Sequence, residues 1–248
     1  MAHRHIVTQK NIEVRNSKVY VFHNPNLAHI LANRDKYLKP LQDRGIKVLL
    51  SILGNHDHSG VANLSDETAK KFAQELKAVC DAYKLDGVFY DDEYSLYKSP
   101  PPPGFVEPST KAASRLCYET KMAMPDKIVS VYVYGQTWKL TSIDGSLPGE
   151  FIDYGLHNYG GDSDLGSNYP GLSKAGMGLY SQEYSRGYYT SKNNLQSLRN
   201  NGYGAHMIFA MDPFRWNVDR QVSSMQDIAE TLFDDELVVD ENYHRKDW

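Results

Sequence analysis

One stretch of the sequence concentrates reactive side chains: Leu85-Asp86-Gly87-Val88-Phe89-Tyr90-Asp91-Asp92-Glu93-Tyr94. It reads as a strand that runs out to its C-terminal end. Side chains alternate along a strand, so Phe89, Asp91 and Glu93 share one face, while Tyr90 and Asp92 point the other way, toward covering helices. Two carboxylates this close repel each other. One pKa therefore rises, and that residue holds a proton near neutral pH. Acid catalysis of glycoside hydrolysis needs such a group. The plainer alternatives for an acidic strand tip are a solvated end or a cation site.

The flanking elements must carry that tip. Lys47 to Gly54 is a continuous apolar run ended by glycine, as expected of a strand covered on both faces. Ser65 predicts an N-cap, with Asp66 and Glu67 in the first turn, where acids suit the helix dipole. Ala69, Phe72, Ala73, Leu76, Val79 and Cys80 then follow at helical spacing. The strand from Gly87 to Glu93 comes next, then a Pro-rich loop from Ser99 to Gly104 and a helix from about Ser109 to Met124. Further strands are expected at Ile128–Tyr134, Phe151–Tyr159, Gly176–Tyr184 and Ala205–Asp212, with a last helix over about Val222–Phe233. Asn26 to Leu41 reads as helical. Upstream, Ile6–Ile12 is a weaker strand candidate and Lys18–Phe22 a possible loop strand. Strands alternating with helices imply an α/β fold of parallel units. The 248 residues suit a single (β/α)8 TIM-type barrel, with residues 1–10 atypical and 240–248 an irregular tail.

Composition narrows the function classes. A net charge of −4 with no dense Lys/Arg block argues against nucleic acid and anionic membranes as partners. No run of 18 apolar residues is present, so no membrane-spanning helix is expected, and the first residues lack the apolar core of an export signal. Cys80 and Cys117 have neither the spacing nor the neighbours of a metal site. No metal or cofactor is expected. The tyrosines, 18 in all, offer flat faces and hydroxyls that suit stacking on sugar rings, though tyrosine is also an ordinary core and surface residue.

The pattern D-G-x-x-x-D-x-E formed by Asp86, Gly87, Asp91 and Glu93 resembles the signature of family 18 glycoside hydrolases. The resemblance extends to Pro40 through His56 and to Met124-Pro125-Asp126-Lys127-Ile128, which look like the endoglycosidase H group. It is closer still to the Bacteroides-type endo-β-N-acetylglucosaminidases, which share Tyr132-Val133-Tyr134, the pattern His157-Asn158-Tyr159-Gly160-Gly161, and Met207 to Pro213. It spans roughly residues 11 to 248. It implies a substrate-assisted retaining mechanism in which Glu93 is the acid and then the base, Asp91 orients the 2-acetamido group, and Tyr159 hydrogen-bonds the acetamido carbonyl. The implied substrate is the chitobiose core of an N-linked glycan or glycoprotein, of the high-mannose type. Secretion, a periplasmic site or the cell surface is the implied location.

Around this centre the resemblance and the strand pattern suggest further substrate contacts. His157 lies two residues before Tyr159 and on its face. Gln182 is favoured over Glu183 as the inward member of its pair. Asn55 ends the first clear strand, Tyr132 lies in the strand after the acidic one, Met211 and Asp212 end the last strand, and Trp216 lies in the loop beyond. Each has a bland alternative in buried hydrogen bonding or surface packing.

Two departures stand out. The fuller family pattern has an aspartate where Phe89 stands, and a phenylalanine beneath Asp91 removes a hydrogen-bond partner and adds desolvation, which raises the Asp91 pKa. Only ten residues precede Asn11, so the first barrel strand is expected to be absent and the barrel incomplete at its N-terminus. The rival readings are a chitinase and a lectin-like barrel. The first is disfavoured by the lack of the chitinase Tyr-Asp pair over residues 151–159, the second by retention of Glu93.

Overall fold

The computed structural model describes residues 5–15, 18–211 and 217–239, with side chains from residue 19 onward. These residues form an α/β fold of the TIM-barrel class, in which strands paired mainly in parallel alternate with helices. The chain divides into two compact units. Of the described residues, the first comprises 5–15, 18–155 and 165–173, the second 156–164, 174–211 and 217–239.

In the first unit, β1 (His5–Arg15) and β2 (Lys18–Phe22) pair antiparallel, with Asn11 opposite Phe22. Three short helices follow, α1 (Pro25–Ala32), α2 (Arg34–Tyr37) and α3 (Lys39–Gln42). The single helix expected over Asn26–Leu41 is thus broken in two places. Asn33 ends α1 in a non-helical conformation, and Pro40 stands in the first turn of α3, where a missing N–H costs nothing. Then come β3 (Lys47–Leu53), α4 (Asp66–Tyr83), β4 (Gly87–Tyr90), α5 (Thr110–Ala123), β5 (Ile128–Tyr132), α6 (Pro148–Phe151) and β6 (Tyr154–Leu156). The strand order is β2-β1-β3-β4-β5-β6, with β1, β3, β4 and β5 parallel.

The helices form where their caps and apolar spacing dictate. The Ser65 hydroxyl accepts from the Thr68 N–H and Ser109 does the same for Ala112, each satisfying a donor that helix starts leave orphaned. Ala69, Phe72, Ala73, Leu76 and Cys80 of α4 are buried, as are Ala112, Ala113, Leu116 and Cys117 of α5. Tyr90 is fully buried, and its hydroxyl meets Thr120 of α5 at 2.6 Å. The expectation that Tyr90 points to the helices holds.

Two carboxylates fasten the N-terminal ends of the strands. Asp86 accepts from the Val48 N–H at the start of β3 (2.9 Å) and from the Gln42 amide (2.8 Å), with Lys47 at 3.3 Å. Asp153 does the same one strand pair on, accepting from the Val129 N–H (2.8 Å) and pairing with Lys121 (3.0 Å). The first aspartate of the D-G-x-x-x-D-x-E pattern is therefore a structural staple.

In the second unit, β7 (Met177–Gly178), β8 (Gln182–Glu183), α7 (Lys192–Asn201), β9 (Ile208–Phe209) and α8 (Val218–Phe233) follow. Three strands are shorter than their apolar runs. Tyr180, at φ 55°, separates β7 from β8, and Ala210, also at φ 55°, ends β9. In the first unit, Phe151–Tyr159 opens instead with α6, whose Glu150 carboxylate accepts from the Leu147 N–H. Helix α7 was not anticipated, although Ser191 caps it, Leu195 and Leu198 are its buried face, and Gly202 ends it in the left-handed region. No helix of the described residues is long and apolar enough to cross a membrane.

Burial works against the charge on Asp86, but the Val48 N–H, Gln42 and Lys47 outweigh it and hold the carboxyl below its ordinary value. A depressed acid stabilises above the unfolded-state pKa, and that contribution fades as pH falls through the folded one. Asp86→Ala should lower stability by about 1–3 kcal/mol at pH 7, the cost of orphaning a strand-end donor. The gap from wild type should begin to narrow below about pH 4. Denaturant melts at pH 7 and pH 3.5 measure it, and equal gaps at both would refute the assignment.

Candidate active site

The acidic tip begins where β4 ends. Strand pairing stops at Tyr90, so Asp91 and Glu93 lie on an extension just past the strand. The extension stays attached to β3 by three backbone hydrogen bonds. The Asp91 N–H donates to the Ile52 carbonyl (3.1 Å), the Gly54 N–H to the Glu93 carbonyl (2.8 Å) and the His56 N–H to the Tyr94 carbonyl (2.8 Å). Close approach is possible because Gly54 and Gly60 lack side chains. A Cβ at either would collide with Ser95, and at Gly60 also with the Tyr97 hydroxyl. His56 (φ 55°) and Tyr94 (φ 61°) both adopt the left-handed conformation, and their rings meet at 5.2 Å. Such backbone in non-glycine residues persists only where the surroundings hold it.

Asp92 does not turn to the helices as the alternation predicted. It is buried, and its carboxylate accepts from the Tyr97 hydroxyl and from the Gln136 N–H at 2.7 Å. Both partners come from loops, so Asp92 ties the loop after β4 to the 3₁₀ turn Gly135–Trp138 after β5. Gly135, at φ 44°, leaves room for it, since a Cβ there would strike the Asp92 carboxylate. Sequence reasoning missed this clamp; the positive-φ glycine is its only local signal.

Asp91 is the strongly perturbed group. Burial first, then the Glu93 and Asp92 charges, push its carboxyl up to about 8. Its Oδ1 is buried and has no hydrogen-bond partner. Phe89, two residues earlier on the same strand, is 7% exposed, with its ring 6.5 Å from that of Tyr132. The Glu93 charge, and then burial, raise the pKa of the neighbouring Tyr94 hydroxyl. Tyr132 is buried and stacks on the exposed Tyr134 at 6.0 Å, the rings 11° from parallel. Asn55 is half-buried, directly after Gly54. Asp91, Glu93, Tyr132 and Asn55 thus belong to one neighbourhood at the strand ends of the first unit.

In the second unit, His157 is half-buried. Its Nε2 lies 2.8 Å from the Ser163 hydroxyl, its Nδ1 is buried without a partner, and desolvation lowers its pKa, opposed by the Asp162 charge. Tyr159 is half-buried, stacked on Tyr188 at 6.3 Å and against Phe209 at 6.3 Å. Gln182 is not the inward member of its pair. Only 1% exposed, it accepts from the Thr190 N–H (2.8 Å) and from Ser224 of α8 (3.2 Å), so its amide is committed to the α8 side. Glu183, on the alternate face, is 3% exposed and pairs with Arg186 at 3.3 Å. Met211 is exposed; Asp212 and Trp216 lie outside the described residues. Among the described residues, no group of His, Cys, Asp or Glu could hold a metal ion.

A carboxyl whose folded pKa is raised binds its proton more tightly in the native than in the unfolded chain. Stability then falls as pH climbs from the unfolded value near 4 toward about 8. Asp91→Asn removes this loss. Wild type should lose more melting temperature than the variant between pH 5 and pH 8, and parallel curves would sink the claim that Asp91 is protonated at rest.

No family model matches the chain. Over 240 residues, 96% of this chain and 71% of the relative, it is 57% identical to endo-β-N-acetylglucosaminidase F1 of Elizabethkingia meningoseptica. It superposes with a TM-score of 0.86 and 39% identity on the crystal structure of Bacteroides thetaiotaomicron EndoBT-3987 with Man5GlcNAc product, covering 94% of this chain. The chain spans 54% of the length of that solved protein. A Bacteroides thetaiotaomicron chitinase shares the fold at TM-score 0.62 and 13% identity, covering 98% of this chain and 91% of the chitinase. The carboxylate pair past the tip of β4 and the sequence identity over nearly the whole chain lead to one conclusion: this chain belongs to the endo-β-N-acetylglucosaminidases, a family of glycoside hydrolases.

Proposed function

We propose that the chain hydrolyses the β1,4 bond between the two N-acetylglucosamines in the chitobiose core of high-mannose N-linked glycans, by a substrate-assisted retaining mechanism. The observation that carries this reading is the Asp91 Oδ1 atom, buried without a partner beside Glu93. A desolvated acceptor is stabilised by a ligand that brings an N–H donor. The 2-acetamido group of N-acetylglucosamine carries one next to the bond to be cut. Complexes of the 39%-identical relative with Man5GlcNAc product and with Man9GlcNAc2Asn substrate support the glycan class.

The chemistry follows from the two carboxyls. The acetamido N–H donates to Asp91, which turns the acetamido oxygen toward the anomeric carbon. That oxygen attacks, the glycosidic C–O bond breaks, and Glu93 gives its proton to the leaving oxygen. The oxazolinium so formed is positive and keeps its N–H on the Asp91 carboxyl oxygen, which stabilises that charge. Glu93, now a carboxylate, takes a proton from water as the water attacks the anomeric carbon. The ring opens, the acetamido group is restored, and configuration is retained.

Incubation with ribonuclease B should leave protein carrying one N-acetylglucosamine, read from its mass. Glu93→Gln should slow that release by about 10²–10⁴-fold, the usual contribution of a positioned acid–base group, with the fold intact by circular dichroism. Undiminished release by the variant would remove Glu93 from the role. Absence of any released oligosaccharide from wild type would remove the function.

A further inference from the structure

Asp92 stands between Asp91 and Glu93, and no step of the proposed chemistry uses it. Burying a carboxylate is costly unless donors meet it. Asp92 is 8% exposed and has a donor on each oxygen. The Tyr97 hydroxyl donates to Oδ1, and the Gln136 N–H donates to Oδ2 at 2.7 Å. Tyr97 lies five residues on in the same loop, so its bond closes the backbone around Glu93. Gln136 belongs to the 3₁₀ turn after β5, so its bond fixes that closed segment to the next strand. Gly135, at φ 44°, permits the approach.

The far side of the clamp is itself anchored. The Thr137 hydroxyl lies 2.7 Å from the Tyr132 carbonyl and 2.8 Å from the Tyr134 carbonyl. The Thr137 carbonyl accepts from the hydroxyl of the buried Tyr169 at 2.7 Å. Gln136 therefore offers its N–H from a turn tied to the end of β5. On the near side, the Asp91 N–H and the Glu93 carbonyl bond the end of β3. Those bonds hold the segment toward β3 alone. Asp92 supplies the tie toward β5, so the backbone of Glu93 is held from both sides. Such a restraint matters to a proton donor, because a misplacement of about 1 Å costs about a hundredfold in rate.

We propose that Asp92 is a positioning residue for the hydrolysis assigned above: its two hydrogen bonds hold the Glu93 backbone where the acid meets the glycosidic oxygen. The role rests on the hydrolase reading, and Asp92 itself touches no substrate. With ribonuclease B as substrate, Asp92→Ala should lower kcat about 10²-fold. KM should change little, because a displaced acid is missed only in the transition state. Asp92→Asn separates placement from charge. Its amide oxygen accepts from the Gln136 N–H while its NH₂ donates to the Tyr97 oxygen, so it should recover most of kcat. Tyr97→Phe keeps the Gln136 bond and should lower kcat about tenfold, the loss of one hydrogen bond. The double variant Asp92→Ala/Tyr97→Phe should lose no more than Asp92→Ala, since both cut one connection. A residue serving stability alone would lower Tm in these variants and leave kcat per folded molecule unchanged, and that result overturns the proposal. So does an Asp92→Asn enzyme as slow as Asp92→Ala. Should Asp92→Ala not fold, Tyr97→Phe carries the same decision. A wild type that releases no oligosaccharide removes the hydrolase reading and this role with it. An active wild type beside equally active variants removes the role alone.

Discussion

Three backbone hydrogen bonds carry the chain beyond β4 while keeping it against the end of β3, and the acidic centre depends on them. Strand β4 is only four residues long, and a free loop after it would let Asp91 and Glu93 seek water. Held by Ile52, Gly54 and His56, the segment instead presents one carboxyl into a dry place and keeps the other beside Tyr94. The geometry requires glycine at 54 and 60 and left-handed backbone at His56 and Tyr94. Strain and small residues therefore gather where the chemistry is, as is common where function overrides local preference.

The same sheet shows a division of labour between its two ends. At the N-terminal ends, Asp86 and Asp153 each take an N–H near the start of a neighbouring strand together with a lysine. At the C-terminal end, Asp91 stands beside the Glu93 and Asp92 carboxylates, and its proton is held up to about 8. Aspartates of one signature, five residues apart, thus serve opposite purposes. Donors surround the first and stabilise its charge. Burial and like charges surround the second and suppress it. In barrels of this class, stability belongs to one face and chemistry to the other.

Much of this was legible along the chain. Ser65 and Ser109 announced α4 and α5, the apolar run at Lys47–Leu53 announced β3, and the acidic motif identified both the strand tip and the family. Phe89, two residues before Asp91, foretold the direction of the Asp91 shift. These features are local: a cap, a run, an alternation, a neighbour two residues away. Helix α7 was also written locally, in Ser191, Leu195, Leu198 and Gly202, and was overlooked because its other positions are polar.

What sequence could not decide concerns partners far apart in the chain. Alternation sends Asp92 toward the helices, yet Tyr97 and Gln136 draw it into a clamp between two loops. Gln182 and Glu183 are equivalent by pattern, and only Ser224, 42 residues away on α8, fixes which faces the helix. Apolar runs gave Gly176–Tyr184 and Ala205–Asp212 the look of unbroken strands, but left-handed turns at Tyr180 and Ala210 cut them short. Residue types and spacing determined the elements and the reactive groups, because propensity and periodicity act within a few residues. Which groups are dry, which are paired and which protons are retained was left to the tertiary structure, because desolvation and hydrogen bonding depend on what the folded chain brings alongside.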